Sequence, residues 1–298
     1  MGGRFSAPTA LADALIATAA GDRPIAGGTD LVVGTRQGKW SLPADLVALD
    51  RIAELRGIDS MADGLRIGAT TSHAALAAHP AIRERWTAIA DAASIVGSPA
   101  TRHVGTPGGN VANASPAAET IGPLLCFGAT VELRSTSGAR RVALADLFTG
   151  PGRTTVAADE LIVAIEVPEV AGAGSCYVRL EFRRQMEIAV VGATAVVRLD
   201  GGVVRDARIA ITALAPTIRR VATAESALVG TDGGPEAAAE AGRLAAEAAT
   251  PISDVRASLE YRTAMAAVVV RRAVTGAIAR AGGETVPIPA SASLFGAD

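Results

Sequence analysis

The order of helical and strand patterns constrains the fold of this chain most strongly, because it divides the chain into two unlike parts. Before residue 168, short apolar strand patterns alternate with helical patterns, beginning with a helix over residues 8–20. After a small-residue stretch at 171–174, three strand patterns follow one another at 175–182, 189–199 and 203–214, with a Gly201-Gly202 turn between the last two. Consecutive strands joined by such a turn indicate an antiparallel sheet. We therefore predict an α+β chain with one domain over residues 1–172 and a smaller one over 173–298.

Local signals predict where several helices begin and end. Residues 31–37 are expected to be helical, with Asp30 as N-cap and Gly38 as terminator. Pro80 favours the first position of a single helix that runs to Gly97. In the second domain, helices are predicted over residues 234–249 and from about residue 253 to residue 280.

The charge balance excludes several classes of function. The chain has 28 Lys and Arg against 30 Asp and Glu, a net charge of −2, so nothing drives it toward nucleic acid or an anionic membrane. Lys39 is the only lysine and lacks the GxxxxGK[ST] frame, which excludes a P-loop. No apolar run is long enough to span a membrane, and residues 10–20 fit an amphipathic helix better than a signal peptide. A cytoplasmic protein is expected.

The chain is also poor in metal ligands and acid–base groups. With two cysteines (Cys126 and Cys176) and three histidines, it cannot hold an iron–sulfur cluster or a closed zinc site by itself. Both cysteines are expected to be buried, reduced thiols, and His73 and His79 to cap helices or face solvent. His103 lies near a glycine-rich segment, where it either donates to a phosphate or makes a structural hydrogen bond. No metal site and no catalytic side chain is predicted.

Two segments with paired glycines are the candidate binding elements. The first glycine segment is residues 26–30 (AGGTD) and the second is residues 105–110 (GTPGGN). Paired glycines let a ligand approach the backbone and allow positive φ, and the exposed N–H groups of such turns bind anions. Neither segment fits the GxGxxG fingerprint. If the two met in space, they could hold both phosphates of a dinucleotide whose own chemistry carries the reaction.

The residues around these segments resemble the FAD-binding medium subunits of molybdenum hydroxylases, the family of xanthine dehydrogenase and carbon monoxide dehydrogenase flavoproteins. The similar motifs are AGGTDL at 26–31, GATT at 68–71, RHVGTPGGNVANASP at 102–116, RRQMEIAVV at 183–191, Ala215-Pro216 and ISDVRASLEYR at 252–262. The resemblance implies an FAD-binding domain of the p-cresol methylhydroxylase type with two α/β subdomains, about 1–57 and 58–172. It implies a three-stranded antiparallel sheet and helices in the C-terminal domain.

The resemblance also implies the cofactor contacts. The FAD diphosphate is expected at Ile25, Ala26, Gly27, Gly28, Thr29, Asp30 and Leu31, and at Thr106, Pro107, Gly108, Gly109 and Asn110. The adenosine end is expected at Asn113, Ser115 and Glu119, and the flavin near Ile162 and Arg179. Glu119 stands where aspartate is commoner, Arg179 where lysine is frequent, and Ala100 replaces a frequent glutamine. Thr29-Asp30 replaces the His-Ser of many CO-oxidising members, which favours an organic substrate such as a purine, N-heterocycle, aldehyde or aromatic.

The function implied is the electron-exit subunit of a molybdenum hydroxylase. A molybdopterin large subunit would oxidise the substrate, and a small subunit with [2Fe-2S] clusters would pass electrons to the FAD of this chain, which would reduce NAD, O₂ or a quinone. A dimer of heterotrimers is expected. Two alternatives stay open: a free-standing flavin oxidase or reductase of the same superfold, and a non-catalytic module that binds another nucleotide or a partner protein.

Overall fold

The computed structural model describes residues 3–183 and 185–291 of the 298-residue chain. The ends of the two predicted domains, residues 1–2 and 292–298, and Arg184 of the motif at 183–191 lie outside the described residues. Within the described part, the α-helices are α1 (Leu11–Ala19), α2 (Thr29–Arg36), α3 (His73–Ala78), α4 (Pro80–Arg85), α5 (Thr87–Ile95), α6 (Pro99–Val104), α7 (Pro107–Asn113), α8 (Ile121–Phe127), α9 (Leu144–Leu147), α10 (Ala222–Leu228), α11 (Pro235–Ala248) and α12 (Leu259–Ala281).

The strands form three main sheets and one small hairpin. They are β1 (Phe5–Ser6), β2 (Arg23–Ile25), β3 (Leu46–Ala48), β4 (Ile58–Met61), β5 (Gly64–Gly68), β6 (Thr130–Ser135), β7 (Gly138–Ala143), β8 (Phe148–Gly150), β9 (Arg153–Thr154), β10 (Leu161–Pro168), β11 (Ala173–Leu180), β12 (Val191–Asp200), β13 (Val203–Thr212) and β14 (Arg219–Arg220). A short 3₁₀ helix covers Ala53–Leu55.

The first two sheets belong to the part of the chain that contains both glycine segments. The first sheet is parallel, in the order β1-β3-β2, and packs with α1 around buried Leu11, Val47 and Ile52. The second is antiparallel, in the order β4-β5-β10-β6-β7. Its central strand β10 is buried along most of its length. The main core lies between this sheet and helices α3, α5 and α8.

The third sheet is antiparallel and has four strands, in the order β11-β12-β13-β14. The Gly201-Gly202 hairpin turn is present, with φ of 59° and 78°. The prediction of three strands was incomplete, because β14 has only two residues and such a strand leaves no periodic pattern in the sequence. One face of the sheet packs against α10 and α12, which α11 covers from outside, and the other face packs against α5 and α8.

Two helices differ from the predictions. The single helix expected over residues 80–97 is two helices, because buried Trp86 leaves the helical conformation (φ −121°, ψ 47°) and donates its indole N–H to Pro168 O at 3.0 Å. The last helix begins at Leu259, not near residue 253, with Ser258 as its N-cap. Asp254 accepts hydrogen bonds from the Arg256 backbone and the Arg262 side chain, which holds residues 253–257 in a loop.

A polar contact joins the third sheet and α12 to α5. The Asp91 carboxylate in α5 accepts two bonds from Arg280 (2.6 and 3.1 Å) and one each from the backbone N–H of Tyr177 and Ala290 (3.1 and 3.0 Å). We call these four residues the Asp91 seam. Both charged side chains are almost fully buried. Across residues 3–183 and 185–291, no helix has the combined length and apolar character needed to cross a membrane.

Candidate functional site

The first glycine segment connects β2 to α2. Gly28 has φ of 66°, which a residue with a side chain rarely adopts, and α2 begins at the next residue. At Gly27 a Cβ atom would lie 1.9 Å from the Val104 carbonyl oxygen, so this segment packs directly on the chain before the second one. The prediction that Asp30 caps α2 was wrong: Gly28 occupies the N-cap position and no side chain caps it.

The second glycine segment is the start of a helix. The Thr106 hydroxyl accepts from the N–H of Gly109 at 3.0 Å as the N-cap of α7, with Pro107 at the first helical position. Neither Gly108 nor Gly109 has positive φ, which corrects the expectation of a left-handed turn here. Gly108 is needed for close packing, since its Cβ would lie 2.5 Å from Ala69 O, whereas a Cβ on Gly109 would meet only Thr106 Oγ1, at 3.0 Å.

The two segments meet and line one cleft. The Asn113 amide donates to Asp30 Oδ1 at 3.0 Å, which joins α7 to α2. A cavity of about 490 Å³ lies between the segments, and a second of about 250 Å³ shares Arg23, Pro24, Ala26, Gly109 and Ala112 with it. We call the two together the front cleft. Predicted contacts that line it are Ile25, Ala26, Gly27, Gly28, Thr29, Asp30, Leu31, Thr106, Gly109, Asn110 and Asn113 in the larger part, and Gly108 and Ile162 in the smaller.

Four predicted contacts do not line the front cleft: Pro107, Ser115, Glu119 and Arg179. Arg179 is fully buried and donates to Glu119 Oε1 at 2.6 Å, to Glu181 and to the Ile95 carbonyl. Burial raises the pKa of Glu119, although the charge of Arg179 acts in the opposite direction. This buried ion pair fixes β11 to the loop that follows α7.

Other residues of the front cleft were missed from the sequence. They include Arg23, Trp40, Ser41, Pro43, Gly152 and Thr154. Trp40 is 45% exposed, packs over Gly34, where a Cβ would lie 2.0 Å from the indole, and donates to Leu31 O at 3.3 Å. A single tryptophan in the polar segment 37–43 was the available signal, because an exposed aromatic ring beside a binding loop often contacts the ligand.

His73 packs against the second glycine segment at Gly105. The expectation that it caps a helix or faces solvent was therefore wrong. Its side chain is buried against Gly105, and its backbone N–H donates to Gly105 O at 3.0 Å. The N-cap of α3 is Ser72. Burial, with the charge of Arg102, lowers the pKa of His73 to about 4, so the ring is neutral near pH 7.

A separate cavity of about 760 Å³, which we call the rear cleft, lies on the other side of the two segments. It shares Ala26, Gly27, Thr70 and Thr106 with the front cleft, and apart from Ala26, Gly27 and Thr106 it contains none of the predicted FAD contacts. His103 lines it together with Arg56 and His79. Where the structure describes the chain, no three His, Cys, Asp or Glu side chains are grouped to hold a metal ion. Both cysteines are buried and neither forms a disulfide, as predicted, and burial raises the pKa of each thiol.

Two family models match nearly the whole chain. Residues 3–170 match the FAD binding domain in molybdopterin dehydrogenase, and residues 177–277 match the CO dehydrogenase flavoprotein C-terminal domain.

Characterised relatives are similar over most of their length. The chain is 35% identical over 281 residues to the carbon monoxide dehydrogenase medium chain of Afipia carboxidovorans, covering 93% of this chain and 97% of the relative. It is 32% identical to a putative xanthine dehydrogenase FAD-binding subunit of Escherichia coli, with coverage of 87% and 90%. It is also 32% identical to the nicotine 6-hydroxylase medium subunit of Paenarthrobacter nicotinovorans, with coverage of 93% and 98%.

Solved structures have the same fold. A chain of reconstituted CO dehydrogenase from Oligotropha carboxidovorans superposes with a TM-score of 0.89 at 34% identity, covering 94% of this chain and 99% of the other. A chain of quinoline 2-oxidoreductase from Pseudomonas putida 86 gives a TM-score of 0.89 at 29% identity, with coverage of 94% and 98%.

Proposed function

The chain belongs to the family of FAD-binding subunits of molybdenum hydroxylases, which are oxidoreductase subunits, and we propose that it binds FAD in the front cleft as an electron-exit module. In this role it would take electrons from an iron–sulfur subunit and pass them to an external acceptor. The observation that carries the proposal is that the two glycine segments line one cleft, joined by the Asp30–Asn113 hydrogen bond.

The groups around the front cleft fit a diphosphate. The N–H groups of Gly27 and Gly28 donate to no backbone carbonyl within the described residues, and those at the start of α2 have no helical partner. An anion at these donors is stabilised by the amides and by the helix dipole. Gly109 lines the same cleft, and because it has no Cβ it leaves room for a ligand bound at these donors. Backbone amides serve as phosphate ligands in many nucleotide sites, and Arg23, which lines both parts of the front cleft, brings a positive charge to it.

The chemistry of the reaction belongs to the cofactor: bound FAD can exchange electrons singly or in pairs and so links iron–sulfur clusters to two-electron acceptors. The task of this chain is to hold FAD by its diphosphate and to keep the ring in one place. Asn113 lies in the larger part of the front cleft and Ile162 in the smaller part, in agreement with an adenosine end near the first and a flavin near the second. Ser115, Glu119 and Arg179 would support these ends from outside the cleft.

The finer organisation is also a proposal. It comprises a p-cresol methylhydroxylase-type domain over residues 1–172, divided near residue 57, and a second domain over 173–298. The second sheet ends at Pro168 and the third begins at Ala173, which supports this division. Partners would be an iron–sulfur small subunit with [2Fe-2S] clusters and a molybdopterin large subunit, in a cytoplasmic dimer of heterotrimers. Thr29-Asp30 favours an organic substrate for the complex, and NAD, O₂ or a quinone would accept the electrons.

The experiment is to purify the chain from its native cells through an affinity tag and to measure flavin, molybdenum and iron. We expect a yellow preparation with FAD equimolar to this chain and two further polypeptides that carry the metals. A colourless protein without partners would contradict the proposal. Anaerobic reduction of the isolated, FAD-loaded chain by an organic substrate would favour the free-standing oxidase instead.

A further inference from the structure

We propose that the rear cleft is a second binding site, which takes an anionic ligand of nucleotide size that carries a phosphate group and is distinct from FAD. Its volume of about 760 Å³ is in the range of small-molecule sites. Of the proposed FAD contacts, only Ala26, Gly27 and Thr106 line this cavity, and each of them also lines the front cleft, so the remaining residues of the rear cleft have no assigned role.

Three side chains of the rear cleft have nitrogen atoms without a hydrogen-bond partner within the described residues: Arg56, His79 and His103. Arg56 uses one N–H on the Asp50 carbonyl, and its other N–H groups make no hydrogen bond within the described residues. His79 Nδ1 is buried without a hydrogen-bond partner, and the exposed His103 side chain has none within the described residues. Asp50 is the one acidic residue among those that line the cavity. One arginine and two imidazole rings against one carboxylate favour an anion.

Four hydroxyl groups line the rear cleft. Thr70 donates to Leu55 O and Thr71 to Gly57 O, each at 2.9 Å, whereas Ser72 and Thr106 accept from backbone N–H groups. The hydroxyl hydrogens of Ser72 and Thr106 can therefore donate to a phosphate, beside the free N–H groups of Arg56. Arginine presents several N–H groups in a planar fork that fits phosphate oxygens, which makes it the anchor of the site.

The rear cleft is separated from the front cleft but touches the same backbone. Where Gly27 packs on Val104 O, even a Cβ has no room, so no ligand can pass between the clefts at that point. A ligand in the rear cleft would nevertheless contact Ala26, Gly27 and Thr106, which also line the front cleft. Its binding would therefore couple to FAD affinity, and the coupling must be reciprocal. This last step rests on the proposed FAD function, whereas the site itself does not.

The test is calorimetric titration of the FAD-saturated protein with inorganic pyrophosphate at low salt. We expect saturable binding that weakens with added salt and falls about tenfold or more in Arg56→Gln, because a charge-assisted bond to phosphate is lost. The matched control is Arg51→Gln, which removes the same charge from an exposed residue outside the cavity and should change affinity less than twofold. The flavin absorbance of both variants should match the wild type.

Three results would overturn the proposal. They are no binding of pyrophosphate, equal weakening by Arg56→Gln and Arg51→Gln, or binding that FAD displaces, which would make the rear cleft part of the cofactor site. If the protein binds no FAD at all, the proposed function fails, but the same titration of the apoprotein still tests the site. In that case Arg56→Gln must weaken pyrophosphate binding and Gly109→Ala, in the front cleft, must not.

Discussion

At Gly109, a substitution that adds one carbon atom should weaken cofactor binding without preventing folding. The residue has an ordinary helical φ, and a Cβ there would meet only the Thr106 hydroxyl at 3.0 Å within the protein. The same Cβ would project into the space proposed for the FAD diphosphate. We expect Gly109→Ala to fold but to bind FAD at least about tenfold more weakly, a change of about 1.4 kcal/mol. Fluorescence titration of the apoprotein with FAD measures this.

The control for that variant is Gly282→Ala. Gly282 also has negative φ, and its Cβ would make ordinary contacts of 3.4 and 3.5 Å with two carbonyl oxygens, far along the chain at the end of α12. It should bind FAD as the wild type does. Equal FAD affinity in Gly109→Ala would place the diphosphate elsewhere.

His73 should make stability depend on pH. Its folded pKa of about 4 lies below the unfolded value of 6.5, so between these values the unfolded chain binds more protons than the folded one. Stability is therefore full above about pH 6.5 and falls as the pH drops toward 4, by up to about 3 kcal/mol for this shift. The free energy of unfolding is measured with urea at a series of pH values. Between about pH 4 and 6.5, its slope against pH should be smaller in His73→Leu than in the wild type. An unchanged slope in the variant would show that other groups produce it.

Among the helices, the N-cap residue of α7 has two roles, whereas the N-cap residue of α6 has only one. Thr106 caps α7 and also lines the front cleft, whereas Ser98 caps α6 by accepting from the Thr101 N–H and does not line it. Alanine at either position should lower the free energy of unfolding by about 1 kcal/mol, the usual cost of a lost N-cap. FAD affinity should fall in Thr106→Ala alone. A similar loss in Ser98→Ala would mean that helix fraying, not the missing hydroxyl, weakens binding.

Most elements could be predicted from the sequence because their periodicity and end signals agree. The second glycine segment shows the limit: the paired glycines favoured a left-handed turn, although Thr106-Pro107 is the ordinary signal for a helix start. The break at Trp86 could not be predicted, since it depends on a hydrogen bond to Pro168, which lies 82 residues away. Strand β14 has only two residues, and it is recognisable as a strand through its pairing with β13.

At the scale of the whole molecule, the Asp91 seam should couple the two parts of the chain. Asp91→Ala would leave Arg280 buried without its partner and two backbone N–H groups without an acceptor. We expect a loss of about 3–5 kcal/mol in the free energy of unfolding, as for other broken buried ion pairs. Urea denaturation measures it, with Asp59→Ala at an exposed position of β4 as the control. A loss below about 1 kcal/mol would show that the seam contributes little.

The sequence predicts which residues form the proposed FAD site, but it does not predict how they contact one another. Motif order placed both glycine segments in one cofactor site, and both line the front cleft. The partners of buried charges could not be predicted, because Asp91 and Arg280 are 189 residues apart and the pairing depends on how the third sheet packs on α5. For the same reason, the inward position of Arg179 and its contact with Glu119 became visible only in the fold.

In the proposed function, the FAD diphosphate lies between the two glycine segments. The decisive experiment is a crystal structure of the FAD-loaded protein. We expect diphosphate density within hydrogen-bonding distance of the backbone N–H groups of Gly28 and Thr29 and in contact with Gly109. Diphosphate density in the rear cleft, or a front cleft that stays empty at saturating FAD, would contradict it.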